Sequence, residues 1–286
     1  MKIIEFGEIL WDVYPGERHI GGAPLNFAGH LARHGEDVYL LSAIGNDELG
    51  DEALAVLKKW NISADHVAVL DGIPTGKCVV TLDDGRIPSY DLWSGVAYDK
   101  ISCEGIPDDF GVLYFGTLSL RSENNFAELR KLVKTHHFRE IFVDMNIRPP
   151  HYSEETVRFA AETSTILKIS DEELPVVAEM LGINSSLHHS VFVKKLACKY
   201  ENLRCIIITH GENGASAYSC ADGLHYSCDS RKVEVKSTVG AGDSFSAAFL
   251  HMYLKGADIT DCLSHASDIA GMVVSNYAAV PEYSIE

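Results

Sequence analysis

Short, continuous apolar runs recur along this chain, and amphipathic stretches stand between them. The runs are Ile3–Phe6, Val38–Ala43, Val112–Phe115, Ile141–Met145, Ile166–Ile169 and Cys205–Thr209. Most do not alternate with polar residues, which suits strands covered on both faces. A helical period is carried by Pro24–His34, Glu48–Trp60, Glu123–Thr135, Glu154–Thr163, Asp171–Leu181, Val191–Tyr200, Ala241–Tyr253 and Ile259–Ser275. This alternation predicts an α/β fold, a parallel sheet with helices on both faces.

Two stretches break the rhythm. Residues 9–20 have no helical period, and residues 67–96 contain alternating strand-like runs, Cys78–Leu82 and Tyr90–Trp93, around the turn signal Asp83-Asp84-Gly85. They predict a small antiparallel sheet inserted as a lid over the carboxyl ends of the parallel strands. No repeat and no Pro/Gly/Ser-rich linker divides the chain, so residues 1–286 read as a single domain with lid segments at 9–20 and 67–96.

Charge narrows the function classes. Acidic residues outnumber basic ones by 41 to 24, a net charge of −17, with no basic block to track a phosphate backbone. Nucleic-acid binding is not expected. No apolar run approaches a membrane span. Seven cysteines without a C-x-x-C pair, behind an N-terminus unlike a signal peptide, predict reduced thiols and a cytoplasmic protein. The tandem pairs His136-His137 and His188-His189 are expected to be solvated.

Five segments carry chemistry. Thr238-Val239-Gly240-Ala241-Gly242-Asp243 opens an amphipathic helix. Small residues allow close approach to unpaired first-turn amides, which with the helix dipole form an anion hole. Asp243 at its edge is placed to take a proton from a hydroxyl, or else caps the helix. Gly21-Gly22-Ala23-Pro24-Leu25-Asn26 precedes another helix, and Asn26 offers a donor and an acceptor for sugar hydroxyls. Asp144-Met145-Asn146-Ile147-Arg148 ends a strand with the polar side chains of a site lip, where Arg148 grips an anion or forms a loop salt bridge. Lys168-Ile169-Ser170-Asp171-Glu172-Glu173 holds a capping box between Ser170 and Glu173, and its acidic cluster suits Mg²⁺ held through water. Thr209-His210-Gly211-Glu212-Asn213-Gly214 closes a strand in a turn fit for a nucleotide.

Taken together, these motifs resemble the ribokinase-like, phosphofructokinase-B-type carbohydrate kinases over nearly the whole chain. The first signature runs from Gly21 through Asn26 and Ala28 to Gly35 and Gly45; the second is Thr238 with Gly240-Ala241-Gly242-Asp243. The resemblance implies a three-layer α/β/α sandwich with a mostly parallel central sheet and a β lid. It implies phosphoryl transfer from ATP with Mg²⁺. Asp243 would be the base, with Gly240, Ala241 and Gly242 as the anion hole and Arg148 as a clamp. Asp12, Gly22, Asn26, Arg148 and Asp243 would bind the sugar. Lys168, Thr209, Gly211, Gly214, Gly240 and Gly242 would line the ATP site, and Glu173 would order Mg²⁺ through water.

Gly7-Glu8-Ile9-Leu10-Trp11-Asp12, Gly116–Ser122 and Asp144-x-Asn146-x-Arg148-Pro149 are similar to bacterial fructokinases, which implies the 6-hydroxyl of fructose as acceptor. A 2-keto-3-deoxygluconate kinase is the alternative, with Arg121 or Arg148 meeting the substrate carboxylate. A silent sugar- or nucleotide-binding regulator is the other. The usual aspartate before the second signature is Ser237 here, and Ala278 replaces a frequent glycine, so turnover is expected to depend little on K⁺. Exposed lid edges, with Leu92 and Trp93, predict a homodimer through the lid.

Overall fold

The computed structural model describes residues 1–82 and 88–283. The Asp83-Asp84-Gly85 turn lies outside the described residues. The chain begins with β1 (Lys2–Phe6), β2 (Leu10–Tyr14), β3 (Glu17–Gly21), α1 (Ala23–Arg33), β4 (Asp37–Gly45), α2 (Glu48–Trp60) and β5 (Ser63–Leu70). It continues through β6 (Gly76–Leu82), β7 (Pro88–Leu92), β8 (Val112–Gly116), α3 (Glu123–Thr135), β9 (Glu140–Asp144), α4 (Glu154–Thr163) and β10 (Ile166–Ser170). Then follow α5 (Leu174–Met180), α6 (His189–Lys199), β11 (Cys205–Thr209), β12 (Ala215–Ser219), β13 (His225–Cys228), α7 (Ala241–Leu254) and α8 (Ile259–Val274).

The central sheet has the order β13-β12-β11-β10-β9-β8-β1-β4-β5, parallel except for the β11-β12 and β12-β13 pairings. Side chains alternate between its faces. Ile4 and Phe6 face a core shared with α3, α4, α5 and α6, whereas Ile3 faces one shared with α1, α2, α7 and α8. Three layers result, as the sequence implies. Glu5, fully buried on the same strand, has no hydrogen-bond partner for either oxygen among the described residues. Its cross-strand neighbour Tyr114 is also fully buried with an unpartnered hydroxyl.

The small sheet has the order β3-β2-β6-β7. Two antiparallel pairs are joined by parallel pairing of β2 with β6, so it is mixed rather than wholly antiparallel. It sits at the carboxyl edge of the central sheet, because β1 ends at Phe6 and β2 starts at Leu10. The expected lid boundary at residue 67 is corrected. Val67–Leu70 belongs to β5, which pairs in parallel with β4 at the edge of the central sheet. Of the tandem histidines, His137 and His188 are exposed. His136 instead bonds the Ile106 carbonyl at 2.8 Å, and the His189 ring stacks on His210.

Candidate active site

The helix opened by Ala241 starts from Gly240 in the left-handed region, at φ 79°. A side chain there would stand 2.5 Å from the Ala279 carbonyl, so only glycine fits. The Ala241 amide donates to the Thr238 carbonyl at 3.2 Å and closes the turn. That corrects its expected place in the anion hole. Among the described residues, the amides of Gly242 and Asp243 meet no carbonyl, and they are the donors left open to an incoming anion.

Asp243 does not cap its helix. Its Oδ2 accepts from Asn26 Nδ2 at 2.8 Å, across 217 positions of sequence. Oδ1 has no hydrogen-bond partner among the described residues. Burial, reinforced by the Asp144 carboxylate, pushes the Asp243 pKa up to about 7 against the pull of Asn26, Lys168 and Arg148. Asn26 is buried in the first turn of α1, and its Oδ1 is unpartnered among the described residues. Gly22 precedes it with φ 113°, and a side chain there would collide with the Glu8 carbonyl at 2.4 Å.

Beneath the anion hole lies a buried ion pair. Lys168 and Asp144 are register partners on β10 and β9, and Lys168 Nζ donates to Asp144 Oδ2 at 2.8 Å. Ser246 of α7 donates to the same oxygen at 3.3 Å. Asp144 is 2% exposed, so it lies under the expected lip rather than on it. Burial works against the Lys168 charge, but the carboxylates of Asp144, Glu173 and Asp243 outweigh it and hold its pKa above the ordinary lysine value. A side chain at Gly242 would stand 3.4 Å from Lys168 Nζ, so this ammonium underlies the open amides.

Glu173 makes the expected reciprocal bonds with Ser170. The Ser170 amide donates to Oε2 at 2.8 Å, and the Glu173 amide donates to Ser170 Oγ at 3.2 Å. Its Oε1 accepts from the Ile147 amide at 2.6 Å, so Glu173 also fixes the loop that carries Arg148. The helix itself begins later than expected, at Leu174. The unpartnered Asp144 Oδ1 and the remaining lone pairs of Glu173 are hard oxygen donors that fit a hydrated Mg²⁺. Thr209 is the register partner of Ser170, which sets the Gly211–Gly214 turn beside this cluster. Gly211 (φ 55°) and Gly214 (φ 91°) both use the left-handed region.

On the other flank, Asp12 of β2 is the register partner of Cys78 on β6. Burial raises its pKa, and His19, Cys78 and Arg148 moderate the rise. Arg148 is exposed, its guanidinium forms no hydrogen bond or salt bridge among the described residues, and it acts electrostatically on Glu8, Asp12 and Asp243. Arg121 is held elsewhere. It binds Asp99 through Nε at 3.0 Å and Nη2 at 3.1 Å, with both side chains buried. Glu8 escapes motif reading by itself. It is buried, accepts from Ser119 Oγ at 2.7 Å and from the Ala23 amide at 3.2 Å, and braces the glycine turn.

The arrangement can activate a hydroxyl beside an anion hole flanked by a glycine nucleotide turn. Comparison with known proteins agrees. Residues 6–284 match the description "pfkB family carbohydrate kinase". A 5-dehydro-2-deoxygluconokinase of Clostridium tetani is 25% identical, covering 97% of this chain and 88% of the relative. A probable fructokinase-2 of Arabidopsis thaliana is 26% identical over 91% of this chain and 83% of its own. A sugar kinase of Pyrococcus horikoshii, solved in complex with ATP, superposes with a TM-score of 0.82 at 25% identity, covering 97% of this chain and 94% of that one. With a family match spanning residues 6–284 and a three-layer fold to go with it, the chain belongs to the pfkB family of carbohydrate kinases.

Proposed function

We propose that the protein transfers the γ-phosphoryl group of ATP to the 6-hydroxyl of fructose. The reading rests on one observation above all: Arg121 is neutralised by the bidentate pair with Asp99. The sugar-facing flank is left with Glu8 and Asp12 against a single unpaired guanidinium, Arg148. Such a surface recognises hydroxyls better than a carboxylate.

In the reaction, the acceptor oxygen forms a bond to the γ-phosphorus as the bond to the ADP oxygen breaks. The hydroxyl proton passes to Asp243 Oδ1, while Asn26 holds Oδ2 and fixes the carboxylate plane. The open amides of Gly242 and Asp243, with Lys168 beneath them, offset charge on the transferring group. Asp144 and Glu173 would hold Mg²⁺ through water, and that ion neutralises phosphate charge when bound. Arg148 clamps the phosphoryl group or the sugar. Two chains pair through their small sheets.

A second reading is a kinase for a keto-deoxy sugar acid, which the unpaired Arg148 favours. ADP release measured on fructose, 2-keto-3-deoxygluconate, 5-dehydro-2-deoxygluconate, ribose, adenosine and fructose 1-phosphate separates the two. Fructose is expected to give the highest kcat/KM, and a higher value for either sugar acid installs the second reading.

A further inference from the structure

Toward its β13 edge the central sheet runs beyond its helical cover. Register places Ile206 opposite Tyr218 and Ile208 opposite Ser216. It then places Tyr218 opposite His225 and Ser216 opposite Ser227, so these six side chains share one face. That face belongs to α6, because Ile206 and Ile208 share a core with Phe192 and Leu196. It lies opposite α7, whose apolar side packs in the other core. The two isoleucines are covered, whereas His225 and Ser227 are exposed. A cavity of about 330 Å³ remains between the start of α6 and β13.

Four imidazoles converge on this cavity, those of His188, His189, His210 and His225. His188 is the N-cap residue of α6, and its Nδ1 accepts from the Ser190 amide at 3.3 Å. The neutral ring therefore carries its proton on Nε2, which is left as a donor. His210 Nε2 lies 2.9 Å from Ser216 Oγ, and the His189 ring stands parallel to the His210 ring at 5.2 Å. The His225 ring is 4.9 Å from that of Tyr218. Neither His189 nor His225 makes a side-chain hydrogen bond or ion pair among the described residues. No carboxylate lines the cavity, in a chain where acidic residues outnumber basic ones by 41 to 24.

The charged and titratable groups around these rings come from every element packed there. Lys194 of α6 acts on His225, and Asp171 Oδ2 stands 3.6 Å from His210 Nδ1. Asp222, in the β12–β13 turn, is held by the Tyr226 hydroxyl and the Leu224 amide. Burial, then repulsion from His189, holds His210 below the ordinary imidazole pKa; burial, then Lys194 and His188, does the same to His225. Imidazoles gathered with so little counter-charge make a local positive field once protonated, and the N-terminus of α6 adds to it. An anion relieves that repulsion.

We propose that this cavity binds a dianionic phosphoryl group, the chemistry shared by inorganic phosphate and small phosphomonoesters. His189 donates from α6, His225 from β13, and His188 Nε2–H from the helix start. The apolar floor of Ile206 and Ile208 and the size of the cavity leave room for a small organic remainder. The site is separate from the open amides of α7. It adjoins the Gly211–Gly214 turn through His210, whose amide donates to the Gly214 carbonyl at 2.8 Å.

Histidine ring ¹H–¹³C spectra of the full chain, assigned with single His→Gln variants, test the site. Inorganic phosphate should shift the signals of His188, His189 and His225 in one saturable process, while exposed His137 moves little. Sulfate keeps its charge across the neutral range, so its effect reports on the protein alone. It should raise the pH at which the His210 and His225 rings titrate in the wild-type chain, a readout that needs no variant to fold. His189→Gln and His225→Gln should each weaken phosphate binding about tenfold, the worth of one hydrogen bond to a charged group. Glycerol 3-phosphate is the second probe: tighter binding than inorganic phosphate assigns the site to a phosphomonoester, and weaker binding assigns it to the free ion. Phosphate shifts no larger at the three rings than at His137, imidazole titrations unmoved by sulfate, or unchanged affinity in both variants would each overturn the proposal.

Discussion

As the proposed base, Asp243 must lose its proton before it can accept one. With its pKa near 7, the acid limb of kcat/KM is expected to fall about tenfold per pH unit below neutrality and to level off above it. Asp243→Asn should lower kcat by ~10²–10⁴-fold with little change in KM for ATP. Steady-state kinetics across the neutral range test both, and a variant keeping more than half of wild-type turnover would remove Asp243 from the mechanism. Glu5 gives the opposite kind of residue, one that costs stability. Burial raises its pKa well above the usual carboxylate range, so the folded chain holds a proton that the unfolded chain releases. Stability from the neutral form is complete below the unfolded value, 4.5, and is lost as pH rises toward the folded value. Glu5→Leu removes two unpartnered oxygens and should stabilise the fold by ~1–3 kcal/mol. The gain should widen from pH 5 to pH 8 in urea unfolding, and a gain independent of pH would mean that Glu5 is ionised in the core. Sequence alone left Asp243 open between base and helix cap. The partner that draws it away from the cap, Asn26, lies at the other end of the chain. Asp144 was legible as a functional position but misplaced to the surface, because the charge that permits its burial sits on the neighbouring strand at Lys168.

At the scale of elements, legibility followed burial. Cys205–Thr209 and the helices Glu48–Trp60, Glu123–Thr135 and Glu154–Thr163 match their expected limits, since each pairs a clear apolar face with a clear stop. The edge strand Ser63–Leu70 is half-exposed, its pattern reads like a hairpin arm, and the sequence assigned its second half to the lid. Strands Ala215–Ser219 and His225–Cys228 mix serine, histidine and tyrosine with small residues and gave no signal. The turn entering α7 carries a prediction of its own. Ser237 Oγ accepts from the Val239 amide at 3.2 Å, so the residue replacing a frequent carboxylate spends its oxygen on the turn. Turnover in Tris buffer is expected to change less than tenfold on adding KCl at matched ionic strength. Tenfold activation or more, about 1.4 kcal/mol of barrier, would mean that backbone carbonyls suffice to hold K⁺.

For the whole molecule, the small sheet leaves β3 and β7 as edges, and Trp93 just beyond β7 is 39% exposed with Lys77 Nζ 5.2 Å over its ring. Pairing two such edges about a two-fold axis covers them. Light scattering at micromolar concentration is expected to give the mass of two chains, and a monomer there would contradict the arrangement. The contact between Asn26 and Asp243 has a further consequence, for the making of the protein. A ribosome that has completed α6 has produced most of the sheet, the small sheet and Asn26, but not Asp243. The face of α1 that α7 covers is still bare, and His30 still waits for Tyr283, whose hydroxyl lies 2.7 Å from it in the finished chain. The two halves of the Asn26–Asp243 contact are thus separated in the order of synthesis. Until the last helices have docked, the apolar flank of α1 is a surface for chaperones to shield.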